Sequence, residues 1–298
     1  MSGLWYGVAA YSLWGLLTLY WRLFPNVPAI QVLGHRVVWS FLVLVAIVAG
    51  SWKRRRATLR SVTPGAIGLY ALAAVLIGIN WFLYVYSVNN GFIVESSLGY
   101  FMTPLVNVMM GVAVFRERLR PMQWTAVAFA FAGVVRLTLA YGTLPWIGLA
   151  LAASFGSYGL VKKKAPLPSL EGLTLETAVL LMPAALYLLF LDGNGTGAFL
   201  HAGATTDLLL VAGGFVTVGP LLLFATAVRR VPLSIIGILQ YIAPTIQFLL
   251  GVYAFKEPFT QTQLTGFGLV WLGLVVFTLD SLRPRRSPSF AGLDEGIR

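Results

Sequence analysis

Cysteine is absent from this chain, which rules out disulfides, Cys-ligated zinc and thiol catalysis. His35 and His201 are the two histidines, too few for a His-based metal cluster. Charge is scarce as well: 10% of the 298 residues are charged, against about 25% in a soluble domain. No paired acids at matched depth and no evident nucleophile mark a membrane-embedded enzyme. Period-2 alternation over ten-residue segments is missing too, which argues against a β-barrel. What fills the chain is apolar: 58% hydrophobic, where soluble domains run about 45–50%. The net charge of +11 comes in short clusters between apolar runs. That is the pattern of cytoplasmic membrane loops, not of a nucleic-acid-binding face. The first apolar run, from Leu4 to Leu23, has no small-residue cleavage site and reads as a retained helix.

A span needs about 20 mostly apolar residues. Ten candidates run approximately 3–23, 29–50, 65–88, 93–115, 122–141, 144–161, 173–191, 207–228, 232–255 and 263–282. Breakers separate them, such as "PNVP" at 25–28, "NNG" at 89–91, "PLP" at 166–168 and "DGNGTG" at 192–197. Placing the N-terminus in the cytoplasm puts seventeen of the 21 basic residues on the inner side. They fall at 53–60, 116–120, 162–164, 229–230 and in the tail. The bias predicts that both termini are cytoplasmic.

The segment "PLVNVMMGVAVFRERL" at 104–119 returns as "PTIQFLLGVYAFKEPF" at 244–259. Pro104 matches Pro244, Gly111 matches Gly251 and Glu117 matches Glu257, but Arg118 becomes Pro258. Further matches at the same offset of 140 include Gln123 with Gln263 and Gly133 with Gly273. Five spans per repeat is an odd number, so the second copy must enter from the opposite side. Its equivalent loops then face opposite compartments, and the positive charge follows the compartment. This predicts an inverted-topology repeat, the internal symmetry of alternating-access transporters.

"HRVVWS" at 35–40, "GINWFLYVYSVNN" at 78–90, "ESSLGYFMTPLVNVMMG" at 95–111, "YGLVKKK" at 158–164 and "QYIAPTIQFLLGV" at 240–252 resemble the RarD family. RarD proteins belong to the EamA group of the drug/metabolite transporter superfamily. The similarity covers roughly 3–282. It implies an all-α inner-membrane permease of ten helices, built as two EamA repeats at 1–142 and 143–282 with a cytoplasmic tail at 283–298. It also implies a bacterial exporter of drugs or metabolites, linked by family name to chloramphenicol. Gly34 departs from the family, where a Thr or Ser is expected before the His-Arg pair.

Ionisable groups at bilayer depth cost about 2.5–3.5 kcal/mol and should be paired or line a cavity. Arg36 lies about seven residues into the second span, roughly 10 Å deep. It reads as a substrate- or gate-facing cation, with a structural ion pair as the plain alternative. His35 points about 100° away around the helix. It is a candidate for proton coupling, or else a neutral histidine bonded to a neighbouring helix. Glu95 is a candidate gate partner for Arg36, or an ordinary acid at a helix N-terminus. Glu176 reads as such an N-terminal acid, and Glu117 as a local pair with neighbouring basic residues.

The neutral polar groups near mid-depth are Asn80, Asn107, Gln240 and Gln247, accompanied by Trp14, Trp81, Tyr100, Tyr158 and Tyr241. Together with Arg36 they form a candidate site for small amphiphilic molecules. The alternative is interhelical packing with amide hydrogen bonds. Pro104 and Pro244 are candidate hinges or static bends. The small residues Gly148, Ala152 and Gly156 predict close helix packing. No cofactor or metal is called for, and the expected partners are a small-molecule substrate and the lipid bilayer, with no nucleic acid. A structural or sensory membrane protein and a proton-independent facilitator or exchanger are the rival readings.

Overall fold

The computed structural model describes residues 2–21, 23–24, 26–52, 62–89, 92–142, 144–254 and 260–281. The basic loop at 53–60, Glu257, the side chain of Glu95 and the tail at 283–298 lie outside the described residues. Every regular element among the described residues is helical. In chain order these are α1 (Ser2–Trp21), α2 (Ala29–Gly50), α3 (Pro64–Asn89), α4 (Ile93–Phe115), α5 (Pro121–Tyr141) and α6 (Trp146–Lys164). There follow α7 (Ser169–Gly193), α8 (Ala204–Arg230), α9 (Leu233–Gln240), α10 (Ile242–Leu249) with a π-helical turn (Leu250–Ala254), and α11 (Gln261–Ser281).

Proline sets most of the starts. Pro64 and Pro121 open α3 and α5, while Pro28, Pro145, Pro168 and Pro232 stand just before α2, α6, α7 and α9. Its fixed φ suits a first helical turn, where its missing N–H costs nothing. Gly142 closes α5 in the left-handed region with φ 84°, where glycine has no Cβ to clash.

Among the described residues, seven helices are long and apolar enough to cross a membrane: α2, α3, α4, α5, α7, α8 and α11. The other three expected spans are also helical, with physical reasons for a weaker signal. Tyrosine, tryptophan and serine dilute α1, and three lysines end α6. The ninth expected span is divided into α9, α10 and the π-helical turn. Pro244 has no amide proton to give the carbonyl of Gln240, one turn earlier, and the helix breaks between them at Tyr241. Pro104, in contrast, sits inside an uninterrupted α4. The two prolines therefore differ in their local consequence.

Four pairs of helix starts are 140 residues apart: Ala29 and Ser169, Pro64 and Ala204, Ile93 and Leu233, Pro121 and Gln261. Contacts repeat with the same offset. A Cβ at Gly133 would stand 2.6 Å from the carbonyl oxygen of Gly266, and one at Gly273 would stand 2.6 Å from that of Ala126. These glycines let α5 and α11 touch backbone to backbone. In the same way, Gly99 abuts Gly148 and Gly156 abuts Val106, which seats α4 on α6. One buried cluster centres on Phe101, Val127, Tyr241 and Val270. Another, around Tyr11, Tyr158 and Phe224, joins α1, α6 and α8. Large apolar side chains such as Phe131, Met182, Leu186, Phe190 and Phe215 point outward. That outward apolar surface fits a lipid environment.

Candidate functional site: a central cavity with one cation

A cavity of about 350 Å³ opens between eight of the helices, at the lower end of the range for ligand pockets. From α1 come Tyr11, Trp14, Leu17 and Trp21; from α2, Arg36; from α3, Ile77, Asn80, Trp81 and Tyr84. Tyr100 and Thr103 of α4, Leu151 and Phe155 of α6, and Leu221 of α8 continue the wall. Gln240 of α9 and Ala243, Pro244 and Gln247 of α10 complete it. The break at Tyr241 falls between the lining residues Gln240 and Ala243, so the helix interruption adjoins the cavity.

Among the described residues, Arg36 is the cation of the cavity lining. Its guanidinium lies 4.6 Å from the ring of Trp21 and 4.7 Å from that of Trp81. Two aromatic rings thus flank the charge at cation–π distance. Its Nε donates to Thr217 Oγ1 at 3.1 Å. Among the described residues no carboxylate forms an ion pair with it.

The amides are pinned from behind. Asn80 Nδ2 donates to the Leu151 carbonyl at 2.9 Å and to Ser154 Oγ at 3.0 Å. Gln240 Oε1 accepts from Asn107 Nδ2 at 2.8 Å. That bond engages the oxygen of Gln240 and does not use its NH₂ group, in a residue that lines the cavity. The walls are otherwise aromatic, with Trp14 and Phe155 edge to face at 6.0 Å.

Of the residues singled out from sequence, Trp14, Arg36, Asn80, Trp81, Tyr100, Gln240, Pro244 and Gln247 line the cavity. Asn107, Tyr158 and Tyr241 are buried elsewhere and do not. Asn107 stands behind Gln240, and Tyr241 donates its hydroxyl to the Phe101 carbonyl at 3.1 Å. Tyr158 donates to Glu176 Oε2 at 3.0 Å, and Phe155, one turn earlier on α6, faces the cavity in its place. His35 is buried with its ring 5.4 Å from that of Phe199 and is not part of the lining. Sequence reasoning missed Tyr11, Trp21, Tyr84, Thr103 and Phe155. Trp21 and Trp81 flank Arg36 from different helices, and no local spacing signals that.

Two ionic groupings stand apart from the cavity. Lys162 Nζ and Glu176 Oε1 meet at 2.6 Å, with side chains 3% and 1% exposed. Glu176 is therefore half of a buried pair rather than a solvated N-terminal acid. Lys162 and Tyr158 are four residues apart on one face of α6, a spacing that brings both to the same carboxylate. Glu117 departs from expectation in its partners. It binds Lys163 of α6 at 3.2 Å and the start of α9, not its basic neighbours in sequence. Burial raises its pKa, but hydrogen bonds from Ser234 and Leu233 and the charge of Lys163 outweigh this and hold the carboxylate below its ordinary value.

Long apolar helices packed round an aromatic and amide cavity, with a cation flanked by two tryptophans, fit a polytopic membrane transporter. The family model described as "EamA-like transporter family" matches residues 1–139 and again 144–279. "Protein RarD" of Streptomyces exfoliatus is 48% identical over 96% of this chain and 90% of its own length. "Uncharacterized transporter YojE" of Bacillus subtilis is 43% identical over 96% of both chains. A solved structure known only as "Crystal structure of protein" superposes with a TM-score of 0.69 at 20% identity, over 95% of this chain and 99% of its own, and so shares the fold. The chain belongs to the RarD branch of the EamA-like transporter family, within the drug/metabolite transporter superfamily. It is a bacterial integral membrane protein.

Proposed function

We propose that this protein is an inner-membrane exporter of small metabolites or drugs that works by alternating access. In this reading ten helical spans form two five-helix units of opposite orientation, residues 1–142 and 143–282. Both termini and the tail at 283–298 face the cytoplasm. The common spacing of helix starts and the reciprocal contacts of Gly133 and Gly273 support the internal repeat. The observation that carries the reading is the cavity, whose walls come from both halves of the chain. Rocking one half against the other would open it first to one side and then to the other.

Trp14, Arg36, Asn80, Trp81, Tyr100 and Gln240 act here as substrate contacts. Asn107, Tyr158 and Tyr241 support that shell from behind. Pro104 and Pro244 are hinge candidates, and Glu95 a gate candidate. Export of chloramphenicol itself belongs to the hypothesis, because a Pseudomonas aeruginosa relative, 30% identical, carries the name "Chloramphenicol-sensitive protein RarD". The test is purified protein in liposomes, assayed for saturable uptake of antibiotics and metabolites, with melting temperature measured against the same panel. A panel in which nothing is moved and nothing stabilises the protein removes the reading.

A proton-independent facilitator or exchanger is the second reading, favoured by the packing of His35 against Phe199 outside the cavity lining. Replacing His35 with Gln separates the two. Unchanged pH dependence of transport supports the facilitator, and lost proton-driven uptake supports coupling.

A further inference from the structure

We infer that the substrate is an organic monoanion, a small carboxylate with a flat unsaturated body, held end-on by Arg36. The inference rests on the transport reading above and names the substrate class of that site. A guanidinium has five N–H donors. The guanidinium of Arg36 is flanked by the rings of Trp21 and Trp81, and the Nε donor is taken by Thr217. Among the described residues nothing engages the planar edge formed by the two terminal nitrogens, the edge that matches two carboxylate oxygens.

The protein has fixed that edge in advance. The tryptophans and Thr217 restrict the rotation of the side chain, so little order remains to be imposed on binding. Gln240, with its oxygen held by Asn107, offers a second donor group within the same cavity. Tyr84 and Tyr100, rings 6.0 Å apart, add hydroxyls to the lining. The cavity therefore gathers donors for an anion, and its remaining walls, such as Trp14 and Phe155, are aromatic. The lining holds one cation among the described residues, which suits a single negative charge and favours a carboxylate over a phosphate dianion. A volume of about 350 Å³ suits a compact ligand.

The probes are indole-3-acetate and phenylacetate, each compared with its neutral amide, and phenyl phosphate. They are applied to the purified full-length protein in detergent at pH 7. The acids are expected to raise the melting temperature in a saturable way. Their affinity should exceed that of the amides by at least about tenfold, the smallest ratio a charge-assisted pair supplies. Arg36→Gln should abolish the preference, and Arg36→Lys should restore it only in part, because the ammonium lacks the fork. A readout that needs no variant is modification of Arg36 by phenylglyoxal, followed by mass spectrometry. The acids should protect Arg36 and the amides should not.

Equal binding of acids and amides overturns the inference and leaves a transporter of neutral amphiphiles. Acid preference that survives in a folded Arg36→Gln protein overturns it too, as does tighter binding of phenyl phosphate. If neither these probes nor the antibiotics and other metabolites bind or move, the transport reading falls and the inference with it.

Discussion

Glu117 accepts two hydrogen bonds from one residue: its Oε2 lies 2.9 Å from the amide and 2.6 Å from the hydroxyl of Ser234. Its Oε1 takes the amide of Leu233 at 2.7 Å. A carboxylate from the end of α4 thus closes the first turn of α9, where free N–H groups and the helix dipole favour a negative charge. Arg116 makes this possible by ending α4 in the left-handed region with φ 52°, while the amide of Glu117 bonds back to Gly111 at 3.1 Å. Lys163 completes the latch, donating to Glu117 at 3.2 Å and to the Val231 carbonyl at 3.0 Å. One short junction therefore ties α4, α6 and α9 together.

Glu117→Ala should destabilise the protein by about 1–3 kcal/mol, the range for stranding buried partners of a charged group. The loss should depend on pH. The folded pKa of Glu117 lies below its ordinary value. Its contribution is therefore complete above the ordinary glutamate range and fades as pH falls through the depressed folded value. Melting temperatures of wild type and variant should differ at pH 7 and converge in strongly acidic detergent solution. A constant difference across that window would sink the latch.

The Lys162–Glu176 pair makes a sharper demand. Both groups are almost wholly buried, and Tyr158 supplies the second oxygen of Glu176 with a donor. Lys162→Met strands the carboxylate and should cost about 3–5 kcal/mol. Replacing both partners, with Met at 162 and Leu at 176, should cost much less, because no lone charge is left. Chemical or thermal unfolding of the two proteins decides. A double variant as unstable as the single one would mean that packing, not charge, holds this corner.

The positions of the helices were legible in the sequence for a simple reason. Apolar runs end at proline and glycine breakers, and six helix starts stand at or just after a proline. The inward faces were not legible. A helix that is apolar all round has no stripe to tell lipid side from core. Tyr158 and Phe155 illustrate this, since both are aromatic residues of α6, three positions apart. Phe155 reaches the cavity and Tyr158 reaches Glu176. Arg36 stood out because a cation at depth is costly wherever it points. Its tryptophan partners come from α1 and α3, a relation that only the fold supplies.

Asn107 tests whether the outer layer of the site matters. It is fully buried, donates to Gln240, and its own Oδ1 has no hydrogen-bond partner among the described residues. Asn107→Leu removes that orphan acceptor but also takes the donor from the buried Gln240 oxygen, so the two effects oppose and stability should shift by no more than about 1 kcal/mol. The amide of Gln240 loses its anchor, so the apparent affinity for a transported compound should weaken. Gln240→Leu should weaken it as well, and the double variant no further than the worse single one. Additive losses would show that the two amides act independently.

The orientation can be read directly in this cysteine-free background. Leu200, between α7 and α8, and Lys164, at the end of α6, are both exposed. The positive-inside bias assigns Leu200 to the outer side and Lys164 to the cytoplasm. Leu200→Cys should react with a membrane-impermeant thiol reagent in intact cells, and Lys164→Cys only after lysis. The reverse pattern would invert the proposed topology.

The contact between α5 and α11 provides the last test, because it separates backbone propensity from packing. Alanine favours a helix interior over glycine by about 0.8–1.0 kcal/mol. At Gly68, where a Cβ would meet nothing within 4 Å, Gly68→Ala should therefore stabilise slightly. At Gly133 the same Cβ would meet the Gly266 carbonyl at 2.6 Å and Val270 Cγ2 at 2.9 Å. The carbonyl belongs to a helix backbone and cannot move aside alone, so the two helices must part. Overpacking of this kind costs about 1–3 kcal/mol and should exceed the propensity gain. Gly273→Ala, against the Ala126 carbonyl, should behave alike. Once the helices have separated for one methyl group, the second adds little, so the double variant should lose less than the sum. Melting temperatures of the four proteins check this. Gly133→Ala and Gly273→Ala proteins as stable as Gly68→Ala would mean that α5 and α11 are not in backbone contact.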